Sequence, residues 1–117
     1  IGNEVIHALT DLSLNELWVT IEDKYAGETG YAHYQYFHVA ARDEYKLPPY
    51  IMDSGLCEGT TGDGLQYHNG MGFSTIENDY DIYVDDCAAR YGGGGWWYRD
   101  CANVCLLSLW NWVLYVV

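Results

Sequence analysis

Asp79, Asp81 and Asp85 stand at alternate positions with Tyr83 between them, a spacing that lets a looping chain turn several oxygens toward one hard cation. Two carboxylates plus backbone carbonyls form an oxygen set suited to calcium. The segment is not an EF-hand. Counted from Asp79, the sixth position, where that loop needs glycine, is Val84, and the twelfth, where it needs glutamate, is Arg90. A solvated acidic loop accounts for the same residues without an ion. Asp79 and Asp81 could also act as the acid and base of a hydrolase. Nothing in the sequence places either one in an apolar pocket, and no Gly-x-Ser-x-Gly, Walker loop or helix-borne His-Glu pair occurs. The domain is therefore expected not to be an enzyme.

Four cysteines, Cys57, Cys87, Cys101 and Cys105, fit an oxidising compartment, and none is spaced as a CxxC pair. Disulfides are favoured over metal thiolates. Between Cys87 and Cys101 lie Tyr91, four glycines and Trp96-Trp97-Tyr98. Glycines let backbone approach a ligand closely, and flat aromatic faces can wall a pocket. One of the two tryptophans is expected in the core, with Tyr91 the better wall. The histidines are His7, His33, His38 and His68. The four could in principle make a zinc site, but on a strand His33 and His38 face opposite sides, so zinc is not expected.

With 117 residues and 13.3 kDa, the chain has the mass of one domain with one core. Five Lys plus Arg against seventeen Asp plus Glu leave a net charge of −12. That charge disfavours nucleic-acid phosphates and anionic membranes and favours divalent cations. The chain starts at Ile1 without a basic-then-apolar leader, which reads as a processed form or a fragment. No Asn-x-Ser/Thr sequon occurs.

The elements that must position these residues are short. Residues 3–10 read as a helix with Asn3 as cap and Val5, Ile6 and Leu9 on one face. Residues 16–22 alternate, Leu17, Val19 and Ile21 to one side and Trp18 and Thr20 to the other, as in a half-buried strand. Residues 31–39 make a second strand, and Gly27 and Gly30 punctuate a hairpin between the two. Lys46-Leu47 could add a short strand ahead of Pro48 and Pro49. From Asp53 to Gly95 periodicity fades, as in a functional or ion-holding loop region. Residues 104–117 are almost continuously apolar yet short of the roughly 20 residues a membrane helix needs, so a buried strand is expected rather than membrane insertion.

Several unusual words occur in order: His68-Asn69-Gly70-Met71, Phe73-Ser74-Thr75, Asp79-Tyr80-Asp81, Cys87-Ala88 and Gly94-Gly95-Trp96-Trp97-Tyr98 before Cys101. With Gly2-Asn3-Glu4 and Tyr45-Lys46-Leu47 upstream, residues 1 to about 101 resemble the fibrinogen-related domain of fibrinogen, ficolins, tachylectins and angiopoietins. The resemblance implies an α+β fold, with a twisted antiparallel sheet, a short helix and a loop-rich calcium- and ligand-binding lobe. It divides the chain into a sheet-forming part (1–52), a calcium and pocket lobe (53–103) and a divergent apolar segment (104–117), together a partial domain. It also implies a Cys87–Cys101 disulfide, whose loop would stabilise the fold by roughly 3 kcal/mol. Asp79, Asp81, Tyr83 and Asp85 fall eight, six, four and two residues before Cys87, matching the family's calcium ligands, the last two through backbone carbonyls. The lectin members' acetyl pocket maps onto Tyr91, Trp97, Asp100, Cys101 and Ala102, with a cis bond expected between Asp100 and Cys101.

Several features depart from the family, among them an extra glycine in the loop between Cys87 and Cys101. Ala102 replaces a common histidine, and Cys57 and Cys105 have no usual partner, so they would pair with each other, stay free or link subunits. The function implied is a secreted, calcium-dependent lectin of innate immunity that recognises acetylated glycans as a homo-oligomer. The alternative is a fibrinogen- or angiopoietin-like protein-interaction module in coagulation or receptor binding.

Overall fold

The computed structural model describes residues 2–12, 15–22, 27–43, 45, 47–102 and 111–116. Cys105 and Lys46 of the sequence expectations lie outside them, as do residues 104–110.

The first element, α1 (Asn3–Asp11), begins one residue earlier than its expected cap would allow. Gly2 is the extended residue before it and has no side chain with which to cap it, but its carbonyl accepts from Val5 and Ile6 N–H at 3.1 and 3.2 Å. The buried face also differs from the apolar stripe. Val5 and Leu9 are about half exposed, at 51% and 46%, whereas Thr10 is buried and Ile6 and His7 are partly covered. The helix docks through Ile6, packed against the core, and through polar side groups: Val39 N–H donates to Thr10 Oγ1 (3.1 Å), and His7 Nδ1–H donates to Val39 C=O (2.8 Å).

β1 (Leu17–Glu22) and β2 (Thr29–Tyr34) pair antiparallel, Leu17 opposite Tyr34 and Ile21 opposite Gly30. Gly30 is thus inside the strand, not in its connection. The expected second strand does not run through to residue 39. Ala32 and Tyr34 are buried in β2, but Phe37 and Val39 are buried in β3 (Phe37–Val39). The inward positions shift from even to odd, so the chain must break at Gln35-Tyr36 and enter a second sheet. β3 pairs there with β4 (Met52–Ser54). Leu47 lies in a bend, not in a strand, and precedes a cis bond to Pro48.

β5 (Cys57–Gly59) joins the free edge of β2, and β6 (Asn111–Val116) pairs with β1, Leu17 opposite Val116. The larger sheet therefore has the order β5-β2-β1-β6 and gathers strands from three stretches of sequence. One buried cluster spans Leu17, Val19 and Tyr34 of that sheet, Phe37, Val39 and Met52 of the smaller one, and Met71, Trp96, Trp97 and Tyr98 beyond them. The architecture is α+β with antiparallel sheets, as expected. Among the described residues no helix is long and apolar enough to cross a membrane.

Candidate functional site

From Asn69 to Ala102 the chain is mostly irregular, and side chains bonded to backbone take the place of a strand ladder. A short 3-10 turn, Gln66–His68, leads in. His68 is fully buried, and its Nδ1–H donates to Trp97 C=O at 2.8 Å. Burial holds its imidazole below the ordinary value of 6.5, with the nearby Arg99 charge acting the same way and the Trp97 bond opposing it. Arg99 was not singled out by sequence. Its Nε donates to Tyr67 C=O (2.6 Å) and Nη2 to Asn69 C=O (2.7 Å), while its own carbonyl accepts from Ile82 N–H (3.0 Å). One side chain and one peptide thereby tie the turn to the acidic loop.

The loop is built from nested carboxylate turns. Buried Ser74 accepts from Tyr80 N–H through Oγ at 2.9 Å and so fixes where the aspartates begin. Asp79 Oδ1 accepts from Asp81 N–H (3.1 Å), and Asp81 Oδ1 from Tyr83 N–H (2.9 Å). Asp81 Oδ2 reaches Cys87 N–H (3.1 Å), at the start of the short helix α2 (Cys87–Arg90). Asp86 caps that helix, accepting from Ala89 N–H at 3.2 Å.

Carboxylate oxygens of Asp79, Asp81 and Asp86 lie within 4.8 Å of one another. The structure thus brings together two of the expected ligands and adds Asp86, which the alternate spacing from Asp79 does not reach. Its place as a helix cap, directly before Cys87, was the available signal. Asp85 is exposed, and Tyr83 is half-buried with its hydroxyl accepting from Arg90 Nη1 at 2.5 Å. Both could still contribute backbone carbonyls. Burial raises the Asp81 carboxyl above its ordinary value, and the hydrogen bond and charge of Asp79 add to the rise, while the N–H groups of Cys87 and Tyr83 pull it down. Crowded acids with only oxygen donors fit a hard divalent cation such as calcium, which would remove the repulsion between them.

The Cys87–Cys101 disulfide is formed, its Cα atoms 5.5 Å apart. The aromatic segment it closes is core more than wall. Trp96 and Trp97 are both buried, at 6% and 5% exposure, where one of the two was expected there. Trp97 donates its Nε1–H to Tyr50 C=O (2.8 Å) and meets Phe37 and Phe73 edge-on. Tyr98 is fully buried, and Tyr91, 45% exposed, lies flat against it at 6.2 Å. Asp100 is exposed with its carbonyl accepting from Tyr67 OH (2.6 Å), Cys101 is buried, and Ala102 is partly covered. The Asp100–Cys101 bond is trans, the cis bond of the described residues being Leu47–Pro48. Gly95 packs tightly, since a Cβ there would stand 2.4 Å from the Phe73 ring, whereas a Cβ at Gly92 would meet nothing within 4 Å. Cys57 is a free, partly covered thiol, and burial pushes it above its ordinary value.

The domain is thus α+β, with an acidic loop leading into a short disulfide-closed segment. Residues 1–115 match the family model of the C-terminal globular domain of the fibrinogen beta and gamma chains, and the protein belongs to that family. The match runs past Cys101 and into β6, beyond the resemblance read from motifs alone. The chain is 41% identical to fibrinogen-like protein A of Apostichopus parvimensis over 103 residues, covering 86% of this chain and 35% of that protein. It is 36% identical to angiopoietin-related protein 6 of Mus musculus over 110 residues, 94% of this chain and 23% of that one. A solved structure, lamprey fibrin D-dimer complexed with the peptide Gly-His-Arg-Pro-amide, superimposes with a TM-score of 0.73 at 29% identity, covering 86% of this chain and 34% of its own. The chain thus spans about a third or less of each.

Proposed function

We propose that this domain is a secreted, non-enzymatic, calcium-stabilised recognition module whose ligand is a protein segment, basic in character. The observation that carries this reading is the division of side chains around the disulfide. Trp96, Trp97 and Tyr98, the rings best suited to stacking on a sugar, are committed to the core. The residues left at the surface are Ile76 (52% exposed), Ile82 (64%), Val84 (90%) and Tyr91 (45%), beside the aspartates of a chain with net charge −12. Exposed apolar side chains next to acidic ones suit a peptide with apolar and cationic residues. The angiopoietin-related relative and the peptide-complexed fibrin neighbour support it by analogy. Calcium would be held by Asp79, Asp81 and Asp86, with the Tyr83 and Asp85 carbonyls, and would supply charge neutralisation that rigidifies the loop leading into Cys87.

A second reading, the acetyl-recognising lectin acting as a homo-oligomer, rests on Tyr91, which is exposed and held flat by Tyr98. Ala102 and the trans Asp100–Cys101 bond weigh against it. Titration of the domain in calcium with Gly-His-Arg-Pro-amide, a scrambled peptide and acetylated albumin separates the two. Saturable peptide binding that weakens as salt rises supports the first reading. Binding of acetylated albumin alone would replace it with the second.

A further inference from the structure

At the contact between α1 and β3 three metal-ligating side chains meet that the acidic loop does not involve. His7 and Asp11 are four apart on α1, so they lie on one helical face. β3 supplies His38. Ligand atoms of the three residues lie within 4.8 Å of one another, and His38 Nε2 stands 3.3 Å from Asp11 Oδ1. The two imidazoles meet edge-on, at 75° with centroids 6.3 Å apart. The His7 tautomer is set by its partner: Val39 C=O can only accept, so Nδ1 carries the proton and Nε2 keeps its lone pair in the neutral ring. Donation of the second ring N–H to a backbone carbonyl is the usual support of a metal-bound histidine. The same strand residue is held to α1 again through Thr10, so helix and strand are fixed relative to each other at the place where the ligands meet.

We propose that His7 Nε2, the Asp11 carboxylate and His38 Nε2 form a zinc site. Two imidazoles and one carboxylate prefer zinc to calcium, which takes oxygen ligands. Zinc ligands at about 2.0–2.2 Å from the metal lie roughly 3.4 Å apart in a tetrahedron; His38 Nε2 and Asp11 Oδ1 already stand at 3.3 Å, and the cluster as a whole lies within 4.8 Å. Three protein ligands leave a fourth position for water. The ion would clamp α1 to β3 across 31 residues of sequence, from His7 to His38. Among the described residues, His33 is directed elsewhere, to Glu16 at 2.8 Å, and serves as an internal control.

The test is calorimetric titration of the protein with zinc chloride in excess calcium, paired with melting curves. One zinc per molecule is expected, with a rise in Tm. His38→Ala should weaken binding about tenfold or more and abolish the rise, while His33→Ala leaves both unchanged. Because His7→Ala also removes the bond to Val39, Asp11→Asn is the second ligand variant, and it should weaken binding in the same direction. Absence of stoichiometric zinc binding, or binding that survives His38→Ala unchanged, would overturn the site.

Discussion

The larger sheet and the irregular stretch from Asn69 to Ala102 belong to one core but are held by different means. Between β1 and β2 six residue pairs form a ladder, and the alternating side chains repeat the same inward choice at every second residue. In the irregular stretch each function falls to a single group: Arg99 for the turn, Ser74 for the start of the loop, Asp86 for the helix cap, one disulfide for closure. A sheet distributes its stability over many equivalent contacts, while a loop lobe concentrates it in a few long-range bonds. The lobe is therefore where an ion or a ligand can change stability most easily.

The sharpest way to break this comparison is to attack each region at its own support. Leu17→Ala, at a site 1% exposed, should cost about 2–5 kcal/mol and melt sheet and lobe together, read by denaturant unfolding followed by far-UV circular dichroism and tryptophan emission. Separate transitions would mean that the core is not shared. Replacing Cys87 and Cys101 together by serine should cost about 3 kcal/mol, with hydrogen exchange rising across 82–101 before the β1 and β2 amides are affected.

Calcium provides the next test. At a hundredfold excess over Kd it should stabilise the domain by about 2.7 kcal/mol, and Asp79→Asn should remove that gain without destabilising the protein in chelator. The variant's amide oxygen can still accept from Asp81 N–H, so only the charge is lost. Equal melting of the native protein with and without chelator would remove calcium from the account. The smallest effect concerns His68. Its folded value lies below 6.5, so the unfolded chain takes up the proton first as pH falls. The stability held by neutral His68 is complete above pH 6.5 and declines below it, which Tm against pH together with a His68 NMR titration would resolve.

Legibility in the sequence followed the range of the interaction. Leu17, Val19 and Ile21 announced their strand because a period of two is a local property. The helix was equally visible, but its buried side was not. Val5 and Leu9 make the better apolar stripe, yet His7 and Thr10 face the protein because they satisfy the backbone of Val39, a partner about 30 residues away. The β2 to β3 break left a trace in spacing, since Tyr34 and Phe37 are three apart and cannot both face inward on one continuous strand. Asp79, Asp81, Cys87 and Cys101 were legible as family words, whereas Asp86 became a neighbour of the other acids only when the backbone turned into α2.

By itself, then, the sequence determined the family, the main strand, the existence of the helix and the acidic and cysteine motifs, because each is written in adjacent or regularly spaced residues. Tertiary structure alone decided that both tryptophans serve the core, that Arg99 joins the turn to the loop, and that His7, Asp11 and His38 meet. Those outcomes depend on which distant backbone groups need partners, and satisfying buried polar groups is a property of the assembled fold rather than of any local stretch.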